Sequence, residues 1–474
     1  MTDLAQTLGK PKAALPMAAG AGLGLGAMAT MSGVAPIAAV GGLALGYLVL
    51  ASPEAALALI LLFRPMLDLA PEGFSVPGFT QVLDLSAGVA LLLTGAAVLY
   101  VLSNRIDVLR IPLVAPFAAL LTVATASLLA SSDPGLTVAS LVRLAGQLAL
   151  YVLVFSVVRR RAQVERLIVV LVASAVLPVL WGFGEILVGQ AKYLHPALAE
   201  GITHPRLAGP FGEGLTLGSF LVVPLVLVVV LFFESRHRWE RFLYAGLLAF
   251  FLVAFYFTLA RGAWLAFALA LALLGIARYR VLLVLAPAAL VVVLLLVPGI
   301  TERLAPAVEN PEETTVAGRL ARWEGAWTVF RENPILGAGL GVGNLEAGAE
   351  ASGKLSAAHT DYLRVLADTG VLGLGAYLWL LGAAAVEALR AHRRLRTPRF
   401  RAIVISFMAV WAAFMVLRVS GNVLTLQILQ YNFWALAALA LALPGLEATE
   451  GLVMADASRG YPSRGLLGRV GERA

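Results

Sequence analysis

The sequence predicts an all-α polytopic membrane protein of about 12–14 transmembrane helices with one large, partly helical loop, and three observations carry that expectation. The chain is 60% hydrophobic and only 13% charged, far from the usage of water-soluble domains. Apolar runs long enough to cross roughly 30 Å of hydrocarbon as helices recur along most of its length. The basic residues gather in alternate connections between those runs. The short alternating segments of a transmembrane barrel do not occur, and a helix satisfies its own backbone polar groups in lipid.

In chain order, an N-terminal segment over 1–14 precedes fourteen spans near 15–32, 35–51, 53–68, 84–103, 111–130, 136–157, 165–188, 214–233, 242–259, 262–277, 281–298, 361–387, 402–420 and 423–443. The first three are short, and twelve or thirteen spans are also defensible. The first part of the bundle thus covers 15–298 and the last part 361–443, separated by a long loop over 299–360. A tail over 444–474 is expected to be disordered.

Orientation follows from charge. Lys10 and Lys12, Arg105 and Arg110, Arg159 to Arg166, Arg236 to Arg241, Arg278 and Arg280, Arg390 to Arg401, and Arg459 to Arg473 fall in connections that alternate strictly with the others. The positive-inside rule then puts both termini in the cytoplasm and the loops at 189–213 and 299–360 outside. The net charge of +7 suggests nucleic acid in a soluble protein, but here the orientation signal accounts for it and no nucleic-acid partner is expected. There is no cysteine, which excludes disulfides, thiolate metal sites and a cysteine nucleophile. The N-terminus lacks the pattern of a cleaved signal peptide, so the first helix is expected to be retained.

A few basic residues defy the orientation signal, among them Arg64, Arg143, Arg206, Arg261, Arg319, Arg322, Arg364 and Arg418. A single one of these is readily a solvated or snorkelling side chain. A cluster at the mouths of spans beside a glycine-rich loop points instead to an anionic ligand, because guanidinium forks match phosphate oxygens. Arg261 lies in a turn with almost no other polar residue, where a charge at mid-membrane costs at least ~2.5–3.5 kcal/mol. Arg206 precedes Gly209-Pro210, a turn leading into a helix N-terminus. Trp323, Trp327 and Phe330 fall at i, i+4 and i+7, one aromatic stripe on a helix that lies in the membrane interface or packs over the bundle.

His359, at the mouth of a span with Asp361 and Tyr362, reads either as a structural residue or as an acceptor of a sugar hydroxyl proton. Gly337, Gly339, Gly341 and Gly343 follow no strand and lead to no Gly-Lys-Ser, which excludes a nucleotide loop; they suit a tight turn or a close backbone approach to a ligand. No Asp-x-Asp pair occurs, so the metal element of many nucleotide-sugar transferases is missing, and neither metal nor cofactor is expected.

Five segments in order resemble the O-antigen ligase and polymerase family of membrane glycosyltransferases: Arg206-x-x-Gly209-Pro-Phe211, Arg261-Gly-Ala-Trp264, Gly318-Arg319-x-x-x-Trp323, Asn333-Pro-Ile-Leu-Gly337-Ala-Gly339-x-Gly341, and His359-Thr-Asp-Tyr-Leu363 with Gly370 and Gly373. The resemblance covers about residues 200–380. Where the family often has an asparagine this chain has Gly212-Glu213-Gly214, and Ala260 replaces a frequent small hydroxyl residue.

The resemblance implies a protein of the bacterial inner membrane that transfers a glycan from an undecaprenyl-diphosphate carrier to an acceptor hydroxyl on the periplasmic face. The acceptor is lipid A-core for a ligase and another lipid-linked repeat for a polymerase. It also implies catalytic roles for Arg261, Arg319 and His359, with the arginines holding diphosphate and the histidine moving a proton. Arg206, Arg322, Trp323, Gly339, Gly341, Asp361 and Tyr362 are the expected substrate-binding residues. A secondary transporter or lipid-linked glycan flippase is the alternative; transporters usually show paired repeats and a midplane site, whereas the polar groups here gather at one surface.

Overall fold

The computed structural model describes residues 48, 51–69, 85–189, 206–288, 315–343 and 360–458. All regular structure among them is helical. Helices α1 (Pro53–Phe63), α2 (Leu85–Asn104), α3 (Val114–Ala126), α4 (Pro134–Val157), α5 (Arg161–Ala173) and α6 (Val176–Leu187) form the first half. Helices α7 (Gly214–Glu234), α8 (Arg238–Phe257), α9 (Arg261–Ala277), α10 (Thr315–Glu332), α11 (Asp361–Arg394), α12 (Pro398–Ser420) and α13 (Gln427–Ser458) follow. Eight stretches among the described residues are long and apolar enough to cross a membrane, and Val114–Ala130 and Arg261–Ala277 are shorter apolar helices.

These positions match the expected spans from 84 onward closely. The spans expected at 15–32 and 35–51 lie outside the described residues apart from Leu48 and Ala51, as does most of 281–298. The run expected as one span at 165–188 divides into α5 and α6 about Ser174 and Ala175, where the Ser174 hydroxyl turns back to the Leu171 carbonyl at 2.8 Å. Helix α13 runs past the expected end at 443 into the segment expected as a disordered tail. Glu447 there accepts the backbone N–H groups of Arg396 and Thr397 at 2.8 and 2.7 Å, and Glu450 pairs with Arg161 at 2.7 Å.

Burial orders the bundle. Helices α7 and α13 are central, with 83% and 89% of their apolar windows buried, while the window of α8 is 17% buried and presents its apolar residues outward. Such outward apolar surface fits lipid as the solvent. Phe117, Tyr151, Phe414, Phe433 and Trp434 interlock at the centre, with ring centroids 4.6–6.3 Å apart. The basic connections gather at one end, interleaved with acids: Arg166 meets Glu54 at 2.6 Å, Arg278 meets Glu234 at 2.8 Å and Arg399 meets Glu165 at 3.3 Å. The starts of α4, α7, α9, α11 and α13 lie at the other end.

Candidate functional site

Arg206 and Arg261 share one structural unit. Helix α8 ends at Phe257, the Thr258 hydroxyl turns back to the Phe255 carbonyl at 2.6 Å, and Leu259 takes a left-handed conformation with φ 51°. Arg261 is then the first residue of α9, so the reversal takes only three residues. Arg206 donates from Nε to the Thr258 carbonyl at 2.7 Å, and the Leu207 backbone N–H donates to the Phe257 carbonyl at 2.9 Å. Only a glycine fits at 214, since a Cβ there would lie 2.5 Å from both Arg206 Nε and the Thr258 oxygen.

Burial pulls the Arg206 guanidinium below its usual range and the Glu213 carboxylate opposes that, leaving it a cation at neutral pH. Arg261 is exposed, and its cation adds to the positive end of the α9 dipole. An exposed guanidinium beside free helix N–H groups is a favourable place for phosphate oxygens. Trp264 donates to the Phe255 carbonyl at 3.1 Å and stacks on Tyr256 at 5.9 Å, fixing the first turn of α9.

Helix α10 carries Arg319, whose side chain lies outside the described atoms. Arg322 and Trp323 are half-buried; Arg322 Nε and Trp323 Nε1 are shielded from solvent and donate to nothing among the described residues. The residues that pack closest lie beside the aromatic stripe. Ala326 and Val329 are buried against Ala338 and Ala367, while Trp327 is 44% exposed and lies 5.1 Å from Phe330. Small residues let the two backbones approach closely, which outweighs the area a tryptophan would bury.

The glycine-rich segment clasps a break in α11. Gly370 has φ 66° and ψ −166°, a conformation that interrupts the helix and that only glycine adopts readily. The Val371 N–H opened by the break donates to the Pro334 carbonyl at 2.9 Å. In return, Ala338 N–H meets the Ala367 carbonyl at 2.9 Å, Gly339 N–H meets the Asp368 carbonyl at 3.0 Å, and Gly341 N–H meets Asp368 Oδ2 at 2.9 Å. The close approach made by these glycines is to α11 itself and to α4, where a Cβ on Gly341 would lie 2.5 Å from Ser140 Oγ.

His359 lies outside the described residues; Thr360, Asp361 and Tyr362 follow it. Asp361 is fully buried and pairs with the equally buried Arg418 at 2.9 Å. It also accepts the Leu424 N–H at 3.0 Å and the Tyr377 hydroxyl at 3.3 Å. Thr360 donates to the Arg418 carbonyl at 3.3 Å. Asp361 therefore ties the start of α11 to the α12–α13 connection. Tyr362 is half-buried, with its hydroxyl 3.7 Å from Met415 Sδ.

The two units lie at the same end of the bundle. Leu215, just after the Gly214 seat of Arg206, approaches the position of Gly421 in the connection that holds Asp361, and the 3-10 turn Arg64–Leu69 packs against Gly209–Phe211. The sequence reading left out Gln147, Thr425 and Gln427, which stand with Arg364 at this end; amides inside apolar spans were the available signal. Among the described residues, no three His, Asp or Glu side chains gather as metal ligands would.

Residues 246–378 match a family model described as O-antigen ligase. The matched segment runs from within α8 through α9, α10 and the glycine clasp into α11 beyond Gly370, and supports an O-antigen ligase type of function. Arg261, Arg319, Arg322, Trp323, Gly339, Gly341, His359, Asp361 and Tyr362 fall inside it, and Arg206 lies ahead of it. No curated protein matches the chain.

Proposed function

We propose that the chain is a membrane glycosyltransferase of the O-antigen ligase type, taking a glycan from an undecaprenyl-diphosphate carrier. The observation that supports this most is the Arg206 hydrogen bond to Thr258, which seats one arginine beside the turn that presents Arg261, next to the segment matched by the family. In this reading the acceptor hydroxyl attacks the anomeric carbon while the bond from that carbon to the diphosphate oxygen breaks. The bonding electrons leave with undecaprenyl diphosphate, and His359 takes the hydroxyl proton.

The leaving group is already activated, so the site has chiefly to stabilise its charge. Arg261 and Arg319 hold the diphosphate. Arg206 binds beside them and keeps the turn in place. Arg322, Trp323, Tyr362 and the turn bearing Gly339 and Gly341 line the path of the glycan, while Asp361 anchors the mouth of α11 through Arg418.

The segregation of basic residues supports an inner-membrane protein with both termini in the cytoplasm and this site on the periplasmic face. The reaction is tested with purified protein, lipid-linked glycan and acceptor. Loss of one preorganised donor to developing charge costs about 10²–10³ in rate, the expected fall for Arg261→Ala and Arg319→Ala. His359→Ala is expected to fall comparably, and normal transfer by these variants would sink the assignment. Deleting the gene separates the two acceptors: loss of all chains from the lipid core marks a ligase, and single-repeat products mark a polymerase.

A further inference from the structure

Between the start of α3 and the second half of α11 runs a groove of about 470 Å³. Trp379 and Val386 of α11 are its walls, 54% and 47% exposed, and Leu113 and Pro116 form its opposite edge. Gly382 and Ala383, on the turn between the two walls, leave the hollow. A Cβ on Gly382 would meet nothing within 4 Å. These four residues of α11 fall at i, i+3, i+4 and i+7, one face of the helix.

The groove has the length of one leaflet. From Trp379 to Arg390, the last lining residue, α11 rises about 16 Å, half of the roughly 30 Å hydrocarbon core. Trp379 stands midway between Val371, the first residue past the break in α11, and Glu387. A tryptophan ordinarily favours the interface, whereas this one is exposed near the middle of its span.

The mouth is cationic and lies at the basic end of the bundle. Arg393 and Arg394 follow Arg390 by three and four residues, so the lined face of α11 continues onto them, and both are exposed. On the other edge Arg110 precedes Leu113 by three residues. Glu387 answers Arg390 at 2.5 Å and Asp107 answers Arg110 at 2.9 Å, while Arg393 and Arg394 form no ion pair among the described residues. Lipid tails are as apolar as the groove, so burial alone gives a chain no preference for it. The hollow supplies shape, and a headgroup charge at the arginines supplies affinity, about 1 kcal/mol for each basic residue near the surface.

We propose that this groove holds one acyl chain of an anionic glycerophospholipid from the leaflet at the basic end, with the headgroup phosphate against Arg393 and Arg394. The site lies at the opposite end of the bundle from Arg206 and Arg261, and it stands whether or not the chain transfers glycan.

The purified full chain in mild detergent is titrated with phosphatidylglycerol and with phosphatidylcholine of the same acyl chains, and bound lipid is counted by native mass spectrometry. Phosphatidylglycerol is expected to be retained about tenfold better, as two surface arginines allow. Gly382→Leu fills the hollow without a clash and is expected to abolish the preference, as is the exposed pair Arg393→Gln with Arg394→Gln. Gly246→Leu, on α8 and also in open space, is expected to keep it. The arginine pair carries the test if Gly382→Leu does not fold.

In nanodiscs of the two lipids, p-benzoylphenylalanine in place of Val386 is expected to give a phospholipid adduct on illumination. The proposal is overturned by equal retention of the two lipids, by a preference that survives either change in a folded chain, or by its equal loss in Gly246→Leu. A crosslink from position 386 to a second copy or to another part of the chain, in place of lipid, overturns it as well.

Discussion

Asp361 and Arg418 form an ion pair of 2.9 Å with neither side chain reached by solvent, joining the first residue of α11 to the last turns of α12. Removing one partner of such a pair strands a charge, at a cost of about 3–5 kcal/mol. Asp361→Ala and Arg418→Ala are each expected to lower the unfolding temperature in detergent sharply. The double variant Asp361→Ala with Arg418→Ala is expected to lose less than the sum of the two single losses. Additive losses in that cycle would mean that the pair is not coupled.

The break in α11 gives a second test. At Gly370 a Cβ would overlap the Ile335 carbonyl, and the backbone lies where side chains are strained by about 1–3 kcal/mol. Gly370→Ala is expected to destabilise by more than that. Gly375→Ala, in the same helix with open space around it, is expected to be neutral or to stabilise by about 0.5–1 kcal/mol. Thermal unfolding of the two variants side by side decides it.

Helix α10 offers a choice of faces. Ala326 is buried and Trp327 half outside, so Ala326→Leu is expected to cost about 1–3 kcal/mol through overpacking against Ala338 and Ala367. Trp327→Ala is expected to change stability little. The reverse order of unfolding temperatures would make the aromatic face the packing face.

Arg206 separates folding from transfer. Its Nε bond to the Thr258 carbonyl is worth about 0.5–1.5 kcal/mol, so Arg206→Lys is expected to unfold within a few degrees of the parent. In the proposed reaction transfer is expected to fall at least tenfold in kcat/KM, because lysine lacks the fork with which Arg206 would reach carbonyl and phosphate together. Transfer at the parent rate would remove Arg206 from the reaction.

The helices described from 85 onward were largely legible in the sequence because hydropathy and basic residues act locally. Arg161, Arg166 and Arg399 meet Glu450, Glu54 and Glu165 at one end, as the charge pattern implied. The break at Gly370 was not legible, because Asp368, Thr369 and Gly370 are also tolerated within a helix and the acceptor that replaces the missing bond, the Pro334 carbonyl, lies far away in sequence. The pairing of Asp361 with Arg418 depends on how α11 crosses α12, a relation between residues far apart in sequence. The spacing of Trp323, Trp327 and Phe330 left α10 open between the membrane interface and the bundle, and its packing contact, Ala326 and Val329 against Ala338 and Ala367, is one that aromatic spacing does not mark.

The clasp between 334–343 and 367–371 has a consequence for its own tolerance of altered length. The backbone N–H groups of Ala338, Gly339 and Gly341 each meet a fixed acceptor on α11, while the Pro334 carbonyl is held by Val371. Deleting one residue between Pro334 and Ala338 would move all three donors out of register with their acceptors.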